Sequence, residues 1–197
     1  ISSPKKPTIT GVNTPLKLIV CITGMPGAGK STVSREAVKL GFTLVNLGDF
    51  VREAASTEGI EPTASNLETL MMELRRRSGL GVMAELASKK IQSSNSSFVV
   101  VDGVRSMSEV QVFRRIASTK ILAIQSAKLV RFDFLLKRRR SDAPSDEGSF
   151  DSRDRGELSV GIGETIALSD ETISNSQISL EELKQIAQTV FERWKIE

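Results

Sequence analysis

The sequence contains no histidine and no tyrosine, and it has one cysteine among 197 residues. Without histidine, the chain cannot build a serine–histidine catalytic triad, a histidine-ligated zinc site or a histidine general base. The lone cysteine rules out a disulfide within the chain, and Cys21 lies in an apolar run where we expect a buried, unreactive thiol. Every apolar run is shorter than the roughly 18 residues of a membrane-spanning helix, so no membrane span is predicted.

A large excess of charge of one sign is also missing. Three of the 27 basic residues, Lys5, Lys6 and Lys17, lie among the first 17 residues, which contain no acid. Residues 18–197 therefore carry 24 basic and 24 acidic residues, and nucleic acid is not a predicted partner. We interpret residues 1–15, rich in Pro, Ser and Thr, as a flexible basic leader. Residues 16–197 are expected to form one domain, and since no secretory apolar segment is present we expect a cytoplasmic protein.

Apolar runs alternate with helical patterns through this domain. Strands are predicted at 16–22, 42–47, 98–102, 119–125 and 171–175. Helices are predicted at about 29–40, within 48–92 with one start at a Ser65–Glu68 capping box, and from Ser179 onward. The apolar stripe predicted for this last helix is Leu180, Leu183, Ala187, Val190 and Trp194. The alternation predicts an α/β fold whose five-stranded parallel sheet has helices on both faces.

The segment GMPGAGKST follows the first predicted strand and opens the first helix. It fits G-x-x-x-x-G-K-[ST], the P-loop pattern, in which backbone N–H groups and a helix N-terminus hold nucleotide phosphates. Glycines let this backbone curl closely around an anion. We predict that Lys30 reaches the β- and γ-phosphates and that the Ser31 hydroxyl ligates Mg²⁺. The predicted ATP-binding residues are Gly24, Met25, Pro26, Gly27, Ala28, Gly29, Lys30, Ser31 and Thr32.

Asp102 ends the third predicted strand, FVVVD. In P-loop proteins a carboxylate at this place usually holds the Mg²⁺ shell, directly or through water. We therefore predict Asp102 as the second metal-site residue, a role that is compatible with capping the next helix.

Beyond the P-loop, the sequence resembles the nucleoside monophosphate kinases, and adenylate kinase in particular. The resemblance is carried by GMPGAGKST, by NLGDFVRE (46–53), by VDGVRSMSEV (101–110) and by the arginine-bearing segments 135–142 and 152–158. Residues 171–186 are similar to a strand–Asn–helix segment of dephospho-CoA kinases, and the nearest group is an uncharacterised archaeal set of adenylate-kinase-related proteins. The resemblance spans about residues 17–195 and implies a P-loop NTPase fold with an acceptor-binding helical insertion (48–92) and a short lid (138–155).

The resemblance also implies roles for individual residues. Arg52 and Arg105 match the arginines that bind the acceptor phosphate, and a guanidinium grips phosphate bidentately. Asp49 matches a residue of the acceptor site and is a candidate catalytic residue together with Lys30. The lid arginines, which would neutralise charge on the transferred phosphoryl group, match Arg138, Arg140 and one of Arg153 and Arg155.

Two of these assignments remain open at the level of sequence. Glu109 stands where the family has a glutamine that contacts the base of AMP. One alternative is that Glu109 contacts the acceptor base, where a carboxylate suits guanine better than adenine. The other is that it forms a capping box with Ser106. Asp49 either serves a phosphate acceptor, acts as a general base toward a hydroxyl acceptor, or caps a helix over 50–57.

We therefore predict a kinase that uses ATP and Mg²⁺ to phosphorylate a small nucleotide acceptor, with a nucleoside monophosphate first and the 3′-hydroxyl of dephospho-CoA second. GTP is the alternative donor. The competing hypotheses are a nucleotide-dependent switch or RNA-associated ATPase, and a nucleotide-binding module without chemistry. The sequence makes no prediction of oligomeric state.

Overall fold

The computed structural model describes residues 15–137, 144 and 146–197. Within them, five strands pair in parallel in the order β2-β3-β1-β4-β5. The strands are β1 (Leu18–Thr23), β2 (Thr43–Asn46), β3 (Phe98–Asp102), β4 (Ser118–Gln125) and β5 (Glu171–Ser174). The helices are α1 (Lys30–Lys39), α2 (Leu47–Thr57), α3 (Ala64–Ser78), α4 (Val82–Gln92), α5 (Met107–Arg114), α6 (Lys128–Lys137), α7 (Glu147–Val160), α8 (Ile162–Ala167) and α9 (Leu180–Ile196). The predicted five-stranded parallel sheet is confirmed.

The central strand β1 is buried along its whole length, between β3 and β4. Its alternate side chains serve two cores: Ile19 and Cys21 pack in the core formed with α2, α4 and α5, whereas Val20 and Ile22 pack in the core formed with α1 and α9. A parallel sheet is covered on both faces because each crossover places a helix there. Cys21 is buried as predicted, and burial raises the pKa of its thiol well above the usual range.

Three helix starts test the predicted caps. The Ser179–Glu182 capping box of α9 is present. For α3 the prediction of a Ser65–Glu68 box is wrong, because the preceding Thr63 is the cap and accepts a hydrogen bond from Asn66 N at 3.2 Å. For α2 the prediction that Asp49 could be the cap is wrong, because the Asn46 side chain at the end of β2 accepts from Gly48 N at 2.8 Å. The helix thus starts directly from the strand, and Asp49 lies in its first turn.

The predicted lid, 138–155, falls partly outside the structure. Residues 138–143 and 145, which include Arg138 and Arg140, lie outside the described residues. The second half of the predicted lid forms the beginning of α7, whose start is fixed by a capping box between Asp146 and Ser149. Among the helices that the structure describes, none combines the length and the apolar character needed to cross a membrane.

Candidate active site

The P-loop joins β1 to α1 at the carboxyl edge of the sheet. Gly24 has a φ of 143° and Gly27 a φ of 82°, which L-residues with side chains rarely adopt. A Cβ at Gly24 would overlap the backbone O of Ile124 in β4, and a Cβ at Gly27 would lie 2.6 Å from the backbone O of Arg131 in α6. The glycines are therefore required by close approach of two neighbouring elements as well as by backbone conformation.

Two side chains from distant parts of the chain hold the carbonyl groups of this loop. Asn175, just after β5, donates from Nδ2 to Ala28 O at 2.9 Å, and Arg131 donates from Nη1 to Pro26 O at 3.0 Å. Both side chains are buried. These contacts fix the loop in one curled conformation, and preorganisation of this kind favours binding.

Four amides at the start of α1 are available to a ligand. In the described part of the chain, the N–H groups of Gly27, Gly29, Lys30 and Ser31 have no hydrogen-bond partner. The first N–H groups of any helix lack partners within the helix, and together with the helix dipole they form an anion site. The predicted phosphate cradle therefore has the donors that it needs.

The Lys30 ammonium lies within its own loop, donating to Gly24 O at 2.6 Å and to Met25 O at 3.2 Å. Burial lowers the pKa of Lys30 to about 8, although the carboxylates of Asp102 and Glu157 oppose this effect. Arg105 and Arg153 add to the decrease. Lys30 is thus surrounded by charges of both signs, and added phosphate would favour its protonated form.

Ser31 and Asp102 fit the predicted Mg²⁺ site. Asp102 ends β3 opposite Ile22 of β1, it is buried, and its carboxylate accepts no hydrogen bond from any residue the structure describes. Carboxylate and hydroxyl oxygens are hard ligands, and Mg²⁺ commonly uses one or two of them with phosphate and water oxygens. No group of three or more acidic or cysteine ligands gathers among the described residues, so a metal ion here would depend on nucleotide oxygens as well.

Helix α7 is fastened over the P-loop by two ion pairs. Asp154 forms a bidentate pair with Arg131, at 2.9 and 2.6 Å, and Arg131 also holds Pro26. One turn later, Glu157 accepts from Arg105 Nε at 2.6 Å. Although burial raises the pKa of the Glu157 carboxyl, Arg105 outweighs it and holds that pKa below its usual range. Glu157 in turn raises the pKa of Arg105, against the effect of burial. Both groups therefore stay charged.

The structure brings some predicted site residues together and leaves others apart. Arg105 and Arg153 act electrostatically on Lys30, whereas Arg155 is exposed. Arg52 and Asp49 pair with each other on α2, where Arg52 is 51% exposed. Within the described residues, neither contacts the P-loop through a hydrogen bond or an ion pair.

Glu109 belongs to the framework beneath the site. Its side chain is 0% exposed, Oε2 accepts from the N–H groups of Arg105 (2.6 Å) and Ser106 (3.3 Å), and Oε1 lies 3.4 Å from Arg75 Nη2. The capping box with Ser106 is confirmed. Because no surface of the carboxylate is open, the structure corrects the alternative in which Glu109 contacts an acceptor base.

A cavity of about 480 Å³ opens beside the P-loop. The lining combines residues of the P-loop and α1, the polar side chains of Arg35, Lys137 and Asn175, and apolar side chains that include Phe134 and Leu180. Leu180 was predicted to lie in the core stripe of α9, but it is 60% exposed and faces this cavity instead. The cavity can hold the apolar part of a nucleotide whose phosphates lie in the loop.

Sequence reasoning missed Glu157, Arg131, Asp154, Asn175 and Arg75. The three-residue spacing of Asp154 and Glu157 places both on one face of a helix, but this polar segment has no apolar stripe that would predict a helix. Arg75 belongs to a run of three arginines, and helical spacing is the signal that could have found it: it lies four residues after Met71 and eight after Leu67, which pack against the core.

Comparisons with known proteins agree with this geometry. The family model of an AAA domain matches residues 23–149. A UPF0200 protein from Hyperthermus butylicus is 41% identical over 177 residues, which cover 90% of this chain and 95% of that protein. The chain belongs to the UPF0200 family.

Solved structures show what fold this UPF0200 chain has. TT1252 from Thermus thermophilus superposes with a TM-score of 0.64 at 17% identity, covering 90% of this chain and 98% of that one. Shikimate kinase from Acinetobacter baumannii, in complex with shikimate, gives a TM-score of 0.59 at 15% identity, with 92% and 96% covered. The predicted P-loop kinase fold is confirmed, while the predicted likeness to adenylate kinase or dephospho-CoA kinase stays a prediction.

Proposed function

We propose that this UPF0200 protein is a kinase that transfers the γ-phosphoryl group of ATP, with Mg²⁺, to a nucleoside monophosphate. One observation carries the proposal: the four free amides of the P-loop, Lys30 and Asp102 meet Arg105 at the carboxyl edge of β1 and β3. Ligands of open α/β sheets gather at this edge. The phosphate-binding loop, a candidate metal ligand and a cation for the acceptor thus lie at one edge of the sheet.

The donor side follows from the loop and the cavity. The amides of residues 27–31 and Lys30 would bind the phosphates, and Ser31 with Asp102 would hold Mg²⁺. When bound, Mg²⁺ neutralises charge on the β- and γ-phosphates. The purine would lie in the cavity against Phe134 and Leu180. These contacts suit ATP, and GTP remains the alternative donor.

Transfer to a phosphate oxygen needs positioning and charge neutralisation rather than a general base. Arg105 would hold the acceptor, and Lys30 and Arg153 would neutralise charge on the moving phosphoryl group. Arg138 and Arg140 as lid arginines, and Asp49 and Arg52 at the acceptor, stay predictions. The same holds for the cytoplasmic location.

A second candidate function is transfer to a hydroxyl group, as in dephospho-CoA. It is favoured by Glu157, a half-buried carboxylate that is paired with Arg105 and acts electrostatically on Lys30. A hydroxyl acceptor needs a carboxylate that can take its proton.

The experiment is a turnover assay of the full chain with Mg·ATP and a panel of acceptors: the four nucleoside monophosphates, dephospho-CoA and no acceptor. We expect ADP formation that depends on a nucleoside monophosphate. ADP formed at the same rate with every acceptor would support a nucleotide-dependent switch instead, and ATP binding without turnover would support a binding module.

Variants of single site residues, with a matched control, test which residues the transfer requires. Lys30→Ala should abolish transfer, whereas Lys39→Ala, an exposed lysine on the same helix, should not. Arg105→Ala should raise KM for the acceptor more than KM for ATP. If it changes ATP affinity alone, the donor and acceptor sides have been exchanged in our assignment.

A further inference from the structure

Arg105 is held at three points by the residues around it. Its backbone N–H donates to Glu109 Oε2 at 2.6 Å, its Nε donates to Glu157 Oε2 at 2.6 Å, and its Nη1 donates to Gly103 O at 3.3 Å. Its Nη2 has no hydrogen-bond partner in the described part of the chain, and this atom is not sealed from solvent. Because the side chain is 22% exposed, a ligand can approach the guanidinium from outside.

A guanidinium that is already held in place is a better anion ligand than a free one. Arginine has a long side chain with several rotatable bonds, and holding it in one conformation costs conformational entropy. When the surrounding protein holds the side chain before a ligand arrives, binding no longer bears that cost. Glu109 fixes the backbone from which the side chain of Arg105 starts, and Glu157 fixes the guanidinium at its other end.

The position of Glu157 is itself tied to the donor side. Glu157 lies three residues after Asp154, so both project from one face of α7. Asp154 pairs with Arg131 at 2.9 and 2.6 Å, and Arg131 donates to Pro26 O in the P-loop. One helix is thus attached to the donor loop through its first carboxylate and to Arg105 through its second. Glu157 therefore keeps Arg105 in a fixed position relative to the phosphate cradle.

We propose that Glu157 is a positioning residue of the acceptor site, which holds the guanidinium of Arg105 by Nε and leaves its Nη2 end open to the phosphate of the acceptor. This inference rests on the proposed function. The phosphate binds without displacing Glu157, because Nη2 carries a second hydrogen on the outer edge of the guanidinium, away from Nε. Glu157 acts through Arg105 and does not itself contact the acceptor.

Two other roles of the same carboxylate predict different results. A carboxylate that competed with the acceptor for Arg105 would lower affinity, so its removal would lower the acceptor KM. A general base would be needed for the chemical step, so its removal would lower kcat. Arg105 holds the pKa of the Glu157 carboxyl below its usual range, which disfavours uptake of a proton from a hydroxyl group. The three-point attachment of Arg105 favours positioning over competition, because Glu157 occupies Nε and not the open end.

The test is steady-state kinetics of the full chain with Mg·ATP and with AMP, GMP, CMP and UMP as acceptors. Glu157→Ala should raise the acceptor KM about tenfold, as for loss of a charged hydrogen bond, and should leave kcat and the KM for ATP within about threefold. Glu157→Gln keeps an oxygen that accepts from Arg105 Nε, so its acceptor KM should stay within about threefold of wild type. The control Glu147→Ala, at an exposed site in the first turn of α7, should match wild type.

A double-mutant cycle tests whether Glu157 acts through Arg105. In an Arg105→Ala background, Glu157→Ala should change the acceptor KM by less than about twofold, because the guanidinium that it holds is gone. A general structural role of Glu157 would leave the full effect in that background, and would overturn the inference. Urea denaturation of each variant checks folding, and Glu157→Gln keeps the test decisive if Glu157→Ala does not fold.

The remaining outcomes separate this inference from the proposed function. A lower acceptor KM in both Glu157 variants would show competition, and a loss of kcat in both at unchanged KM would show a general base; either result overturns the inference. Wild-type kinetics in Glu157→Ala would overturn this inference alone. Wild type without acceptor-dependent turnover would overturn the proposed function and the inference with it.

Discussion

Affinity for Mg·ATP should decrease as the pH rises above about 8, and Lys30 is the reason. Burial within the P-loop lowers the pKa of this lysine from its usual 10.5 to about 8. Only the protonated ammonium can bind the β- and γ-phosphates. A polyphosphate beside Lys30 raises its pKa again, so nucleotide binding above pH 8 must be accompanied by uptake of a proton.

The size of the effect follows from that pKa. Lys30 is about nine-tenths protonated at pH 7 and about one-tenth protonated at pH 9. If it stays protonated in the complex, Kd increases about tenfold between these pH values, which is about 1.4 kcal/mol. Uptake should be about 0.5 proton per nucleotide at pH 8 and about 0.9 at pH 9. Phosphate groups, with a second pKa of about 6, do not titrate in this range.

Folding should respond to pH with the opposite sign. Because the pKa of Lys30 is lower in the folded chain, the unfolded chain binds more protons between about pH 8 and pH 10.5. The contribution of Lys30 to the free energy of unfolding of the nucleotide-free protein therefore rises with pH over this window, while nucleotide affinity falls. General alkaline damage to the protein would lower both.

The assay is isothermal titration calorimetry at pH 7, 8 and 9, in two buffers that differ in ionisation enthalpy. Lys30→Met should bind Mg·ATP weakly and without the pH dependence, and Lys39→Ala should behave as wild type. Equal affinity of wild type at pH 7 and 9, or proton uptake that persists in Lys30→Met, would refute the reasoning.

Two further predictions concern the framework of the site. Gly24→Ala, at positive φ, places a Cβ on the backbone O of Ile124. It should lower the free energy of unfolding, measured by urea denaturation, by at least about 2 kcal/mol and abolish nucleotide binding. The control Gly59→Ala, at a φ of 68° in open space, should lower the free energy of unfolding by only about 1 kcal/mol. Equal costs at the two glycines would contradict the close approach of β4. Asp154→Asn should cost about 3 kcal/mol because it leaves Arg131 buried with a neutral partner, and Arg131→Met combined with Asp154→Leu should recover most of that stability. An unchanged urea midpoint for Asp154→Asn would show that the buried pair does not hold α7 over the loop.

The sequence by itself determined the phosphate cradle and most of the secondary structure. GMPGAGKST between an apolar strand and a helix is a local pattern that can be read without knowledge of distant contacts, although Asn175 and Arg131 then fix the conformation of the loop. The strands, the α9 capping box and the Ser106–Glu109 box were predictable for the same reason. Short-range rules suffice where the partners are neighbours in the chain.

Tertiary structure alone decided what surrounds the cradle. Helical spacing places Arg75 on the buried face of α3, but its partner Glu109 is 34 residues away in the chain, and the pairing of Arg105 with Glu157 joins positions 52 residues apart. No apolar stripe in the sequence predicts α7, and ion pairs to α6 and to the β3–α5 connection hold this helix over the P-loop. Burial strengthens these ion pairs, and burial is set by which elements pack together rather than by the identity of the residue.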